Sequence, residues 1–358
     1  MSENSITLET CQVTKSSVEP ASPGAVGLPY KPFDFRAKRW RNAAIARVAD
    51  DAGYSKRGDN YAACGVSLGF GLDLGGRHLV AANFCHQRFC PLCSARLARK
   101  NARQLARVLL HAQEQHKGLR YIFLTLTCRN VGRDDLNACI VDLMQSWRRL
   151  TVTARWKRSV MGSFRAVEVT RNVQGGAVEY HPHLHVICAV PASYFSPGSP
   201  LYLAHKELVR MWGLALRVDY APSVRVSAIY SQDGGDRKAG DVDAGAAVAE
   251  VSKYSVKDSD IISAALEPDE AAAVYRAMAD ALHHKRLTAF SGVLLRAARD
   301  LRAVDLEAAD IVDADEDHDT TEAERMAYDI YERWAWGQSL GDYICTDVYD
   351  GPGGGPDA

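Results

Sequence analysis

Apolar and polar positions alternate through Tyr180-His181-Pro182-His183-Leu184-His185-Val186-Ile187-Cys188, which predicts a β-strand with one side in a core. Side chains two apart on a strand share a face, so His181, His183 and His185 project together. Tyr121–Thr127 and Ser163–Thr170, rich in β-branched and aromatic residues, predict two further strands. Gly175-Gly176 stands between Ser163–Thr170 and the histidine run and predicts a hairpin turn. Ser223–Tyr230 alternates Val224, Val226 and Ala228 with polar residues and predicts a fourth strand. Helical spacing covers Ser94–Lys117, Tyr202–Leu216, Ala244–Asp258 and Asp134–Val160, the last with Leu136, Ile140, Leu143, Met144 and Trp147 on one side.

The order is β-α-β-β-α-β, which predicts an α+β fold, a split βαβ antiparallel sheet of the ferredoxin or RRM kind. Its helices are expected on one face, leaving the histidine-bearing face open to a metal and a substrate. Before it, Lys31–Arg57 predicts a basic helix led by Phe35-Arg36-Ala37-Lys38-Arg39-Trp40-Arg41. After Ile261 the chain is Ala-rich and predicts a helical extension, with Tyr328–Trp336 as an aromatic helix. Residues 1–30, polar and rich in Ser, Pro and Gly, are expected to be a disordered leader, Asp233-Gly234-Gly235-Asp236 opens a glycine-rich loop, and residues 351–358 read as a loose tail.

Composition narrows the class. The chain has 358 residues, 47% hydrophobic and 24% charged, which suits a soluble protein with more than one core. No apolar run approaches the ~20 residues of a membrane span, and Met1–Pro20 lacks the pattern of a secretory signal. Nine cysteines without an export signal therefore predict a reducing cytoplasm and metal binding in place of disulfides. The net charge of -1 hides an asymmetry. Residues 31–110 hold fifteen Lys/Arg against five Asp/Glu, whereas residues 258–358 hold eight against twenty-three. A basic front suits a polyanionic partner.

The candidate chemistry falls in three places. Cys85, Cys90 and Cys93 form a Cys-x4-Cys-x2-Cys group followed by a helix, a recurrent half-site for tetrahedral zinc. Cys64 and Cys85 would complete a closed structural shell with Cys90 and Cys93, and His86 is a substitute ligand. The helix beyond carries Arg96, Arg99, Arg103 and Arg107 on one side, with Lys100 beside them, as a phosphate-contact surface. In the strand, two imidazoles of the His-x-His kind can converge on one cation. Further on, Glu250, Tyr254 and Lys257 share a helical side, where Lys257 could offset a developing phenolate.

Three ordered segments resemble the motifs of plasmid rolling-circle replication initiators, in the histidine-hydrophobe-histidine (HUH) endonuclease superfamily. They are Phe123-Leu124-Thr125-Leu126-Thr127-Cys128-Arg129-Asn130, His181-Pro182-His183-Leu184-His185-Val186 and Lys253-Tyr254-Ser255-Val256-Lys257. Phe84–Lys100 resembles the cysteine-rich segment that one branch carries upstream. The resemblance covers residues 60 to 260 and implies the same split βαβ fold. It implies His183 and His185 as ligands of a catalytic Mn²⁺ or Mg²⁺, with Glu168 on the preceding strand as third ligand and His181 as its competitor. It further implies Tyr254 as nucleophile, Lys257 as its lysine, Glu250 as general base of the closing step, and Lys253 as a DNA contact. With no second tyrosine close to Tyr254, the single-tyrosine branch fits best.

The organisation then expected is a leader at 1–30, a basic zinc- and DNA-binding region at 31–118, an endonuclease core at 119–260 and an acidic helical region at 261–358. The implied partners are plasmid origin DNA, a host helicase and a DNA polymerase, with no membrane. Two other classes share features with this reading: a relaxase or single-tyrosine transposase, and a non-catalytic zinc DNA-binding protein.

Overall fold

The computed structural model describes residues 33–73, 76–174, 177–230, 242–251, 256–263, 266–303 and 330–350. The leader, the glycine-rich loop, Lys253, Tyr254, the acidic run 310–319 and the tail 351–358 lie outside the described residues.

Chain order begins with helices α1 (Phe35–Asp51) and α2 (Ser55–Ala63), strands β1 (Ser67–Asp73) and β2 (Gly76–Ala82), and the long helix α3 (Pro91–Gln115). Then come β3 (Arg120–Thr127), α4 (Leu136–Thr151), α5 (Ala154–Ser159), β4 (Gly162–Gln174), β5 (Ala177–Val190), α6 (His205–Leu216) and β6 (Val224–Tyr230). The remainder is β7 (Val242–Asp243), α7 (Ala244–Val251), α8 (Asp258–Ile261), α9 (Pro268–Leu282), β8 (Thr288–Ser291), α10 (Gly292–Asp300), β9 (Ile330–Gly337) and β10 (Asp342–Asp350).

The central sheet runs β7-β6-β3-β5-β4-β8, antiparallel except for the β6/β7 pair. The expected α+β architecture is present, and β4 and β5 form the expected hairpin from Gly162↔Ala189 to Gln174↔Ala177. Strand alternation splits the core in two. Ile122, Leu124, Leu126, Val167, Val169, Leu184 and Val186 face α4, α6 and α9 in one cluster. Tyr121, Phe123, Phe164, Ile187 and Ala189 face α3, α7 and α10 in the other. Both faces thus carry helices, and on the second they cover one end of the strands. The histidines occupy the same face at the other end.

Four local expectations need correction. Residues 134–160 are two helices, because the Thr153 hydroxyl caps α5 by accepting from the Trp156 amide at 3.3 Å. That break lets Trp156 meet Trp147 edge-on, with ring centroids 5.4 Å apart. The helix expected to run to Asp258 ends at Val251 within the described residues, and Val256 and Lys257 are not helical. Val251 is buried in one core cluster and Val256 in the other. Helix α3 starts at Pro91, ahead of the expected Ser94, with Cys90 as its cap.

The fourth correction concerns Tyr328–Trp336, expected to be helical. Ile330–Gly337 is instead a strand in a second sheet, ordered β10-β9-β1-β2. Its hydrogen-bond partners lie some 260 positions back, at Ser67↔Ala335 through Leu72↔Ile330. Gly69 permits the pairing: a Cβ there would stand 2.2 Å from the Tyr331 hydroxyl. The N-terminal helices close over this sheet, with Trp40 edge-on to Trp336 at 5.9 Å and the Arg39 guanidinium 5.6 Å from the Trp336 ring.

The edge strand β8 braces β4, the strand that carries Glu168, through Ser163↔Ser291 to Ala166↔Thr288. The turn after it needs glycine. Gly292 has φ +57°, and a Cβ on it would meet the Met161 carbonyl oxygen at 2.1 Å. Gly292→Ala is expected to cost about 2–4 kcal/mol in a denaturant titration, from backbone strain and that clash. An unchanged midpoint would show that the edge is not packed as described.

Candidate active site and cysteine cluster

Register brings the site together. Glu168 on β4 lies opposite His183 on β5, and His183 and His185 lie opposite Thr127 and Thr125 on β3. All these side chains therefore share one face. His185 Nε2 is 2.8 Å from Glu168 Oε2, His183 Nε2 is 3.2 Å from the same oxygen, and the two Nε2 atoms are 3.0 Å apart. Glu168 is 4% exposed and each histidine 7%, so three polar groups are committed to one buried point.

Hydrogen bonds on the far sides of the rings set their orientation. His183 Nδ1 faces its own strand at the His181 carbonyl oxygen, 3.1 Å away, and His185 Nδ1 faces the Thr125 hydroxyl at 3.3 Å. The Phe123 ring stacks on His185 with centroids 5.6 Å apart and planes at 20°. His181 turns elsewhere: its Nδ1 is 2.8 Å from Asn130 Oδ1, and the Asn130 amide donates to Glu179 at 2.9 Å. Burial, then the neighbouring His183, push the His181 pKa down.

Burial works to raise the Glu168 pKa. Hydrogen bonds and attraction from His183 and His185 overcome it and hold the carboxyl far below the usual carboxylate range. Its second oxygen, Oε1, is buried without a hydrogen bond and has the Lys257 ammonium 3.1 Å away. Burial works to lower Lys257, but Glu168 prevails and its pKa is raised. Glu250 Oε1 lies 3.8 Å from His185 Nε2. Two nitrogens and a carboxylate converging in this way make a donor set that fits a divalent cation.

The cysteines form a second group. Cys64 ends α2, Cys85 follows β2, Cys90 caps α3 and Cys93 lies in its first turn. Their sulfurs are 3.4 Å (Cys64 to Cys90), 3.6 Å (Cys64 to Cys93) and 3.8 Å (Cys85 to Cys93) apart. A tetrahedral zinc with Zn–S of about 2.3 Å needs edges of about 3.8 Å. Contact with the other three sulfurs, then burial, pushes the Cys85 thiol up. His86 is not one of the four and has φ 52°.

Of the expected DNA contacts, Arg96 lies over Phe84 at 4.2 Å and Arg99 over Phe33 at 4.7 Å, while Lys100 and Arg103 are exposed on α3. Lys253 and Tyr254 fall outside the described residues. Sequence reasoning gave Thr125 and Phe123 no role. The signal that finds them is cross-strand register, which a strand-by-strand reading does not supply.

Comparison with known proteins places the chain in a family. The family model described as "Replication protein" matches residues 76–344. The chain is 32% identical to a "Protein rep" of Bacillus amyloliquefaciens over 289 residues, 78% of this chain and 83% of the relative. It is likewise 32% identical to a "Protein rep" of Lactiplantibacillus plantarum over 282 residues, 78% of this chain and 86% of that relative. A "Replication protein" of Staphylococcus aureus is 30% identical over 240 residues, 66% of this chain and 96% of the relative. No solved structure matches the chain. With that match covering Cys85, Cys90, Cys93 and the whole histidine strand, the chain belongs to the replication protein family, that of the plasmid rolling-circle initiators its motifs resemble.

Proposed function

We propose that this initiator nicks one strand of its plasmid origin through Tyr254 and later rejoins it, working in the cytoplasm with a host helicase and polymerase. The observation that carries the reading is the convergence of Glu168, His183 and His185, reached from either side of residues 252–255 by Glu250 and Lys257. Tyr254 sits between those two in the chain. Among the described residues no helix is long and apolar enough to cross a membrane, and none is needed for this role.

Glu168, His183 and His185 would hold Mn²⁺ or Mg²⁺, which supplies charge withdrawal from a non-bridging phosphate oxygen. The Tyr254 phenol oxygen bonds to phosphorus as the P–O3′ bond breaks. Its proton passes to the leaving oxygen, giving a 5′-phosphotyrosyl diester and a 3′-hydroxyl that can prime synthesis. Lys257 offsets the charge on the phenol oxygen as it attacks. Cys64, Cys85, Cys90 and Cys93 would hold a structural zinc, and the exposed Lys100 and Arg103 contact backbone phosphates alongside Arg96, Arg99 and Lys253.

Once the origin is regenerated, Glu250 takes a proton from water, which bonds to phosphorus at the second junction as its P–O3′ bond breaks. The freed 3′-hydroxyl then bonds to the phosphotyrosyl phosphorus as the P–O bond to Tyr254 breaks, closing the circle and returning the proton to the phenol. Glu250→Ala is therefore expected to nick an origin oligonucleotide at close to the parental rate while failing to terminate. Nicking and termination are read separately, on a linear oligonucleotide and on a plasmid with two origins. Termination at the parental level would remove the base from Glu250. Strand-specific cleavage mapping with and without chelator tests the reading as a whole: uncut DNA under all metal conditions overturns it.

A further inference from the structure

The first of the three motifs, Phe123 to Asn130, has a strand of its own but no part in the chemistry above. Its β3 residues nevertheless touch the histidines. We propose that Thr125 is a positioning residue that keeps His185 Nε2 available to the cation, an inference that rests on Glu168, His183 and His185 being the ligands.

The two histidines are oriented by different means. His183 Nδ1 faces the main-chain oxygen of His181, an anchor no side-chain substitution removes. His185 Nδ1 has the Thr125 hydroxyl, 3.3 Å away across the β3/β5 register, and the stacked Phe123 ring holds its plane. A neutral imidazole carries one N–H, and the nitrogen that bears it cannot bind metal. If Thr125 Oγ1 accepts from Nδ1–H, Nε2 presents its lone pair to the site. Without the hydroxyl, an Nδ1–H would be buried with no acceptor. The proton then sits on Nε2, where it donates to Glu168 Oε2, 2.8 Å away, and this hydrogen bond occupies both a nitrogen and an oxygen ligand. Partners of this kind are worth about 10–100-fold in metal affinity.

Thr125→Val keeps the branched shape and strand preference and removes the hydroxyl, while Thr125→Ser restores it. The test titrates Mn²⁺ into the full chain with its cysteine cluster loaded, reading free Mn²⁺ by electron paramagnetic resonance, with Glu168→Ala as the variant lacking a ligand. Thr125→Val is expected to weaken Mn²⁺ binding by about 10–100-fold, with Thr125→Ser within about threefold of the parent. The inference is overturned if Thr125→Val binds as the parent does, or if Thr125→Ser falls as far as Thr125→Val. A thermal midpoint or zinc content that falls in step with Mn²⁺ affinity would mark a merely structural role and also overturn it. If Glu168→Ala leaves Mn²⁺ binding intact, the ligand assignment itself fails, an outcome distinct from the others.

Discussion

Tyr254→Phe is expected to abolish nicking of a single-stranded origin oligonucleotide and to leave its binding unchanged. The substitution removes one oxygen and keeps the ring, so the site loses its nucleophile and little else. Removing a nucleophile typically costs a factor of about 10⁴ or more in rate. Affinity for the oligonucleotide rests, on the proposed reading, on phosphate contacts spread along α3 and around the site, and should move by no more than about 0.5 kcal/mol. Denaturing electrophoresis of a labelled oligonucleotide with Mn²⁺ reads both cleavage and the covalent adduct, and a native gel reads binding. An adduct formed by Tyr254→Phe at the parental level would move the nucleophile elsewhere. The absence of any adduct with the parent chain would favour the non-catalytic zinc DNA-binding reading.

The sequence made the site legible because its geometry is local to one hairpin. His183 and His185 share a face by alternation alone, and a tight β4–β5 connection is enough to set Glu168 opposite His183. The cysteine group was legible for a related reason, since Cys90 and Cys93 are fixed by one helix start. The second sheet was not. Glycines dilute the strand signal of β1, and the aromatic spacing of Tyr331 and Trp334 suits a helix as well as a strand. What makes Ile330–Gly337 a strand is the partner at Ser67–Leu72, and pairing at that separation leaves no trace in a window of neighbours. The helix ending at Val251 was hidden for the same cause. Helical periodicity runs on through Glu250 and Lys257, whereas Val256 and Lys257 are not helical and Val251 and Val256 are buried in different core clusters.

Cys90→Ser is expected to remove much of the stability of the N-terminal end. Cys90 is fully buried, caps α3, and has its sulfur 3.5 Å from Asn42 Oδ1 on α1. It thus stands where α1, α2 and α3 meet, in the buried cluster those helices share with the central sheet. Structural zinc binding is worth about 10–16 kcal/mol in zinc-finger peptides, as much as the whole stability of a typical domain. A serine hydroxyl does not replace the thiolate, so the ion's contribution to folding is lost together with the ligand. Damage should also spread to the second sheet, because the Tyr343 hydroxyl on β10 donates to the Gly65 carbonyl, one residue beyond Cys64. The variant is expected to carry no zinc by metal analysis and to melt at least about 15 °C below the parent, or to be insoluble. Cys188→Ala separates loss of a thiol from loss of a metal. Its sulfur is equally buried and is no part of the cysteine cluster, so it should retain zinc and lose only about 1–2 kcal/mol. If the chelator-treated parent melts with the untreated protein, the cluster does not hold this region together.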